Sequence, residues 1–258
     1  AAYFVSSFMS HSCCPNVIWH EGPEALHVVR ARMDIAEGEE ICISYLSENA
    51  LLHSAHERKR SLKQTKLFNC ACERCDKRAL GGTSAMDCCR GFACPYCGKC
   101  AVFLPLDTGV RAADELSRCK CSHCCQPVGE HAQGMLDAEK TLKLQLNKID
   151  KACEAKKISE VLSEAEVKEM LGLLGDSASG AVGPQHWLCE RIWEHLAAWF
   201  EARGHPEEAV RLQQLRASYQ QEVFPWANAT RAWTMQRQAR LLVRHFCHSR
   251  ERARARRA

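Results

Sequence analysis

Cysteine is the residue type whose number and spacing most clearly indicate chemistry in this sequence. The chain of 258 residues contains 18 cysteines, and fifteen of them lie between Cys13 and Cys125. Many stand in C-x-C or C-x-x-C groups, a spacing at which two thiolates can reach one tetrahedral ion at about 2.3 Å. The chain is long and its first residues lack the pattern of a secretion signal, which favours zinc over disulfides. We therefore expect metal sites in a protein of a reducing compartment, cytoplasmic or nuclear.

Three short motifs follow one another in the first 75 residues. Residues 10–16 read Ser-His-Ser-Cys-Cys-Pro-Asn, residues 38–45 read Gly-Glu-Glu-Ile-Cys-Ile-Ser-Tyr, and residues 68–75 read Phe-Asn-Cys-Ala-Cys-Glu-Arg-Cys. Each motif is weak evidence by itself, but the three in this order are strong. They resemble the C-terminal half of a SET domain, the fold of protein-lysine methyltransferases. Together with the helical sequence that follows, they are similar to the SET- and MYND-domain family.

The resemblance implies a role for four residues. Tyr45 matches the catalytic tyrosine, whose hydroxyl orients the incoming lysine nitrogen beside the methyl group of S-adenosylmethionine. His11 would offer backbone groups to the adenine, and Phe68 would stack on it, although Phe68 could instead be a core aromatic that covers a zinc site. Ser10 stands where the family has an asparagine that contacts the methionine part of the cofactor. Because serine is shorter, this departure bears on cofactor affinity.

The first zinc site is expected at the third motif. Cys70, Cys72 and Cys75 supply three thiolates, and a tetrahedral site needs a fourth ligand. The resemblance assigns this place to Cys13, with the neighbouring Cys14 as a competitor. Such a clip would tie the post-SET segment over the active site and complete a channel for the lysine.

The second zinc site is expected further along the chain, where two C-x-x-C knuckles are separated by 23 residues. This spacing is typical of a zinc ribbon that staples a small subdomain. Cys100 or Cys119 could replace one of the four expected ligands, which are Cys94, Cys97, Cys121 and Cys124.

Charge and hydropathy argue against two classes of protein. The net charge is +4, and the last ten residues, with five arginines and one glutamate, account for all of it. The body is therefore neutral, which argues against a nucleic-acid-binding protein with a broad basic face. The arginine-rich end is expected to be a solvated, disordered tail. The sequence contains no run of eighteen apolar residues, so it does not predict a membrane span.

The patterns together predict an α+β chain with a partial SET β-fold. Strands are expected at 16–20, 25–32 and 41–45, and a helix at 50–67. The predicted domains are the end of a SET domain (1–69), a post-SET zinc segment (70–78), a zinc-ribbon-like insert (85–128), an α-helical, TPR-like repeat domain (133–248) and a basic tail (249–258).

The helical region shows apolar residues at helical spacing. One stripe comprises Leu136, Leu142, Leu146 and Ile149, and another runs from Leu188 to Phe200. Residues 172–184 are small and polar and predict a flexible loop. The last stripe consists of Ala232, Met235, Ala239, Leu242 and Phe246.

The expected function is transfer of a methyl group from S-adenosylmethionine to a lysine of a histone or another protein. A Gly-x-Gly segment of the cofactor pocket and a MYND finger have no counterpart here, and Ala1 falls just ahead of the first motif. We therefore expect half of the site to lie upstream, and the chain alone to be inactive or unstable. The first alternative is an inactive SET remnant that binds partners, such as a peptide on its helices. The second is a nucleic-acid-binding zinc ribbon, which the neutral body disfavours.

Overall fold

The computed structural model describes residues 4, 6–75, 88–99, 101–104, 116–154, 158–174 and 182–255, with side chains as far as residue 244. The chain divides into two compact units. The first comprises Ala1–Asp87 and Phe224–Thr230, and the second comprises Cys88–Val223 and Arg231–Ala258. Expectations for Cys100 and for residues 76–78, 175–181 and 256–258 lie outside the described residues.

The first unit contains two small strand pairs. Strand β1 (Ser10–His11) runs parallel to β4 (Cys42–Ile43), and β2 (Val17–Glu21) runs antiparallel to β3 (His27–Ala31). The strands predicted at 16–20 and 25–32 are confirmed to within two residues. The third strand is shorter than the expected 41–45, because β1 offers only two residues for pairing.

Helix α1 (Ala55–Lys66) follows the strands of the first unit. Its first turn is capped by the Ser54 hydroxyl, which accepts a hydrogen bond from the Glu57 N–H at 3.3 Å, and Leu62 is buried. The helix was expected from residue 50. It begins later because Ala50–Leu52 form a separate 3-10 turn, after which His53 is extended.

A segment of the C-terminal region, Phe224–Thr230, belongs to the first unit. The guanidinium groups of Arg32 and Arg74 both lie over the buried ring of Phe224, with their central carbons 5.6 and 5.4 Å from its centroid. The Glu48 carboxylate accepts a hydrogen bond from the Ala229 N–H at 3.2 Å. Local sequence patterns assigned these residues to the helical region and did not indicate this packing.

The second unit joins the cysteine-rich segment to the helices through a strand pair. Strand β5 (Arg90–Phe92) runs antiparallel to β6 (Val182–His186). The loop expected at 172–184 is therefore wrong at both ends, since Gly172 lies in helix α4 and Val182 begins β6. Its small and polar residues gave no sign of the strand, because the partner of β6 lies about ninety residues earlier in the chain.

Six further helices are described in the second half of the chain. The stripe predicted from Leu188 to Phe200 is buried as far as Trp199, and Phe200 is partly buried. Helix α5 packs against α6. The mixture of helices and small sheets agrees with the α+β class, while the TPR-like repeat stays a prediction. The helices are α2 (Gly129–Cys153), α3 (Ile158–Val161), α4 (Glu164–Leu173), α5 (Trp187–Ala202), α6 (Pro206–Val223) and α7 (Ala229–Ala255).

Helix α7 differs from expectation in its buried face and its length. Met235 is exposed, whereas Leu241 is buried and packs with Ala209 and Val210 of α6. The predicted stripe at Ala232, Met235 and Ala239 therefore does not mark the buried face, because packing against α6 determines which face of α7 is buried. The backbone of the expected disordered tail is helical as far as Ala255. Over the described part of the chain, no helix has the length and apolar character to cross a membrane.

Candidate functional site

The first two motifs are joined by the parallel pair β1–β4. His11 lies opposite Ile43 in the register, and the Ser12 N–H donates to the Ile43 carbonyl at 2.9 Å. The buried Asn16 amide completes the connection: its nitrogen donates to the Glu40 carbonyl at 2.8 Å, and its oxygen accepts from the Cys42 N–H at 2.9 Å. Asn16 is part of the first motif, but the sequence alone did not reveal that it fastens the second.

Three residues with implied roles form one aromatic cluster. The ring centroid of His11 lies 5.3 Å from that of Tyr45 and 5.8 Å from that of Phe68, and the last two are 6.3 Å apart. The Tyr45 side chain is 39% exposed, and its hydroxyl donates to the Met9 carbonyl at 2.7 Å. The tyrosine side chain is therefore partly accessible to solvent. Ser10 is exposed on β1 beside this cluster.

The His11 imidazole uses both of its nitrogens. Its Nδ1 accepts a hydrogen bond from the Tyr45 N–H at 3.0 Å, and its Nε2 lies 3.4 Å from the Cys13 sulfur. Burial lowers the pKa of His11 from its ordinary value. The ring connects the tyrosine backbone to a cysteine of the first cluster.

A cavity of about 990 Å³ opens beside Tyr45. Its wall contains apolar side chains such as Trp19 and Leu46, with the Arg32–Glu48 ion pair at another side. A cavity of this size and lining is typical of sites for small molecules or side chains.

The first cysteine cluster gathers four sulfurs from distant parts of the sequence. The sulfurs of Cys13, Cys70, Cys72 and Cys75 all lie within 4.8 Å of one another. The Cys13 sulfur is 4.0 Å from that of Cys70 and 3.5 Å from that of Cys75. Sulfurs bound at about 2.3 Å to one tetrahedral ion are about 3.8 Å apart, so this donor set fits zinc. Among the described residues, Cys14 is not part of the group.

The thiols of this cluster influence one another strongly. Hydrogen bonds to Cys70, Cys72 and Cys75, together with burial, raise the pKa of Cys13. Hydrogen bonds from Cys13, Cys70 and Cys75 lower the pKa of Cys72. A dication that binds all four sulfurs removes this competition, because every thiolate is then a ligand.

Two arginines stabilise the first cluster and were not anticipated. The buried Arg58 donates to the Cys75 sulfur at 3.8 Å. Arg74 donates to the carbonyls of Cys13 at 3.1 Å and Leu51 at 2.8 Å. Their positive charges lie where a zinc ion with four thiolates would carry a net negative charge. Sequence patterns treat both arginines as ordinary charged residues.

The second cysteine cluster is formed by two C-x-x-C knuckles. The sulfurs of Cys94 and Cys124 are 3.7 Å apart, as are those of Cys97 and Cys121, and all four lie within 4.8 Å. Burial opposes ionisation of Cys121, but hydrogen bonds from the N–H groups of Cys124 and His123 lower its pKa to about 7. This donor set also fits zinc. Cys119 is described but lies outside the group.

Residues 2–46 match the family model of the SET domain, which defines the class of this site. Relatives with matching sequence are protein-lysine N-trimethyltransferase SMYD5 of Mus musculus, N-lysine methyltransferase SMYD2 of Homo sapiens and histone-lysine N-methyltransferase Smyd1 of Mus musculus. The N-terminal region is thus similar to a SET domain and to SET- and MYND-domain protein-lysine methyltransferases, and the resemblance drawn from its three motifs is confirmed.

The matches are limited in extent. The chain is 43% identical to mouse SMYD5 over 75 residues, 40% to human SMYD2 over 70 residues and 36% to mouse Smyd1 over 81 residues. These stretches cover 28%, 27% and 27% of this chain. The chain spans less than a fifth of the length of these relatives, at 18%, 15% and 16%.

Proposed function

We propose that this protein takes part in S-adenosylmethionine-dependent methylation of protein lysines. The observation that carries the proposal is the cluster of His11, Tyr45 and Phe68, which three separate motifs contribute and the first cysteine cluster adjoins. The relatives' names, which refer to lysine methylation of proteins and in one case of histones, support the same substrate class. The acceptor is then a lysine of a histone or another protein.

In this proposal the chain's own residues have the roles that the resemblance implies, and their positions are compatible with those roles. S-adenosylmethionine, when bound, supplies the methyl group. The accessible Tyr45 hydroxyl orients the lysine nitrogen, and the Phe68 ring covers the adenine. Ser10 and the His11 backbone contribute polar groups at the same edge. Such a site accelerates the reaction through alignment and exclusion of water rather than through a covalent intermediate.

Two zinc ions complete this proposal. The first is held by Cys13, Cys70, Cys72 and Cys75 and orders the post-SET segment beside Tyr45. The second is held by the ribbon cysteines 94, 97, 121 and 124 and stabilises the second unit. Thiolate sites of this kind suit a reducing compartment, which we take to be the cytoplasm or the nucleus.

Ser10 supports a second candidate function. Its short, exposed side chain replaces the family's cofactor-binding asparagine. In this second candidate, the protein has lost the ability to bind S-adenosylmethionine and acts as a binding module. A peptide partner on the helices would fit that function. Nucleic acid is not expected to bind, because the positive charge is confined to the C-terminal end.

Isothermal titration of S-adenosylmethionine and a radiolabelled methyl-transfer assay on lysine peptides separate the two candidates. Both are performed on the zinc-loaded 258-residue chain and on the complete product of its gene, called the full protein below. The methyltransferase proposal expects binding and turnover by the full protein. No binding to either would overturn it and favour the binding module.

Two variants of the full protein sharpen the test. Tyr45→Phe keeps the ring contacts and removes the hydroxyl, so turnover should fall while cofactor affinity stays unchanged. Phe68→Leu removes aromatic stacking worth about 1 kcal/mol, so cofactor affinity should fall about five-fold. A Tyr45→Phe variant with unchanged turnover would contradict the role given to the phenol.

A further inference from the structure

The His11 side chain lies between two parts of the site that have different tasks. On one side is the backbone of Tyr45, whose N–H is 3.0 Å from Nδ1. On the other side is the sulfur of Cys13, 3.4 Å from Nε2. The sequence resemblance gave His11 only a backbone role, so these side-chain contacts are unexplained by it.

Hydrogen-bond donors and acceptors fix the tautomer of this ring. A backbone N–H can only donate, so Nδ1 must be unprotonated to accept from Tyr45. The proton of the neutral imidazole is therefore on Nε2, where it faces the Cys13 sulfur. A thiolate in a zinc site accepts such a hydrogen bond, and groups that bond to metal ligands orient those ligands.

We propose that His11 is a positioning residue that couples the first zinc site to Tyr45. Through Nε2–H it orients the Cys13 thiolate, and through Nδ1 it holds the backbone of Tyr45 at the end of β4. The ring also packs against Tyr45 and Phe68, which restricts its rotation. Loading of the zinc site then determines the position of the phenol as well as the fold of the post-SET segment.

The inference extends the proposed function, but its structural part is independent of methyl transfer. Zinc affinity and the environment of the Tyr45 amide can both be measured without S-adenosylmethionine or substrate. A protein that binds no cofactor would end the proposed function and leave the link between Cys13 and Tyr45 open to its own test.

Two amide variants separate the two hydrogen bonds. In His11→Asn the amide ends at the level of Nδ1, where its oxygen can accept from Tyr45 but its nitrogen does not reach Cys13. In His11→Gln the amide ends at the level of Nε2, where it can donate to Cys13 but leaves the Tyr45 N–H without its acceptor. The zinc affinity of the first cluster is measured by chelator competition, and hydrogen exchange of the Tyr45 amide by NMR.

Opposite effects are expected for the two variants. His11→Asn should weaken zinc binding about ten-fold, the lower end for changes outside the ligand set, and keep the Tyr45 amide protected. His11→Gln should keep zinc affinity and raise amide exchange about ten-fold, as for loss of one hydrogen bond. In the methyl-transfer assay, the glutamine variant should lose turnover, and the asparagine variant should retain more of it at saturating zinc.

A measurement on the unmodified protein covers the case in which a variant does not fold. Nitrogen-15 NMR of the zinc-loaded chain reports which His11 ring nitrogen carries the proton, and the Nε2–H form is expected. An Nδ1–H form, or equal effects of the two variants on both readouts, would overturn the proposal.

Discussion

Each of the two cysteine clusters offers four cysteine sulfurs as ligands, but the clusters differ in how they are connected to the rest of the chain. In the first, Cys13 meets Cys70, Cys72 and Cys75 across more than fifty residues of sequence. Side chains bond to its sulfurs, namely Arg58 to Cys75 and His11 to Cys13. In the second, two knuckles close on each other, and the bonds to Cys121 come from the backbone N–H groups of the same knuckle.

This difference indicates that the two clusters have different tasks, although both offer the same kind of ligand to zinc. A site closed by distant ligands holds separate segments together, and a change in its occupancy alters whatever those segments carry. The segments that the first cluster joins contain the residues that contact Tyr45. The second is formed by short loops and stabilises the strand pair and helices of its own unit. The spacing of cysteines predicts zinc in both cases, but only the contacts reveal the difference.

The largest effect is expected from loss of the long-range ligand. Cys13→Ser removes the thiolate that joins the two ends of the first cluster, since a serine hydroxyl is not ionised at neutral pH. Zinc content should fall from two ions to one per chain, and the Tyr45 amide should lose its protection from exchange. The matched variant Cys14→Ser removes a neighbouring thiol outside the cluster and should retain both zinc ions.

Elemental analysis and NMR exchange measure these outcomes. If Cys13→Ser still bound two ions, or if Cys14→Ser lost one, the ligand set of the first cluster would be wrong. The comparison between the two clusters would then lose its basis.

A smaller, local effect is expected in the second cluster. Cys121→Ser removes a ligand that accepts two backbone hydrogen bonds, so one zinc ion should be lost and the melting temperature of the second unit should fall. Protection of the Tyr45 amide should stay unchanged. Cys125→Ser, at an exposed neighbour outside the group, is the control for thiol loss. A disturbed Tyr45 amide in Cys121→Ser would show that the clusters are not independent.

The smallest effect concerns the ion pair that anchors the ribbon strand to the helices. The Glu139 carboxylate on α2 accepts hydrogen bonds from Arg90 of β5 at 2.6 and 2.7 Å and from His186 of β6 at 3.2 Å. Glu139→Gln leaves Arg90 without its counter-charge and should reduce the free energy of unfolding by about 3 kcal/mol, the lower end for buried pairs because Glu139 is partly accessible. Urea denaturation measures it, with the exposed Glu169→Gln as control.

The same carboxylate predicts a dependence on pH. Burial opposes its ionisation, but the bonds from His186 and Arg90 outweigh burial and lower the pKa of Glu139 from 4.5 to about 2. Because the folded pKa is the lower one, the stabilisation is present above pH 4.5 and is lost as the pH falls towards 2. Glu139→Gln should therefore flatten the acid limb of the stability curve. Equal acid limbs in both proteins would rule out this role for Glu139.

Sequence patterns were most reliable where the physical cause is local. The alternating residues of 16–20 and 25–32 predicted β2 and β3, and the helical spacing from Leu188 to Trp199 predicted the buried face of α5. Patterns failed where a partner that is distant in sequence determines the local structure. Val182–His186 is a strand because β5 pairs with it, and Met235 is exposed because α6 packs on the other side of α7.

The sequence by itself determined the chemistry that is available: the cysteine spacing that suits zinc, the three motifs of a SET domain and the helical stripes of the second half. Residue type and short-range spacing carry that information, since ligand chemistry and helical periodicity act over a few residues. Only the tertiary structure decided that His11 lies between Cys13 and Tyr45 and that Phe224 packs against Arg32 and Arg74. Those contacts depend on chain segments that are remote in sequence and are selected by packing, which no local pattern records.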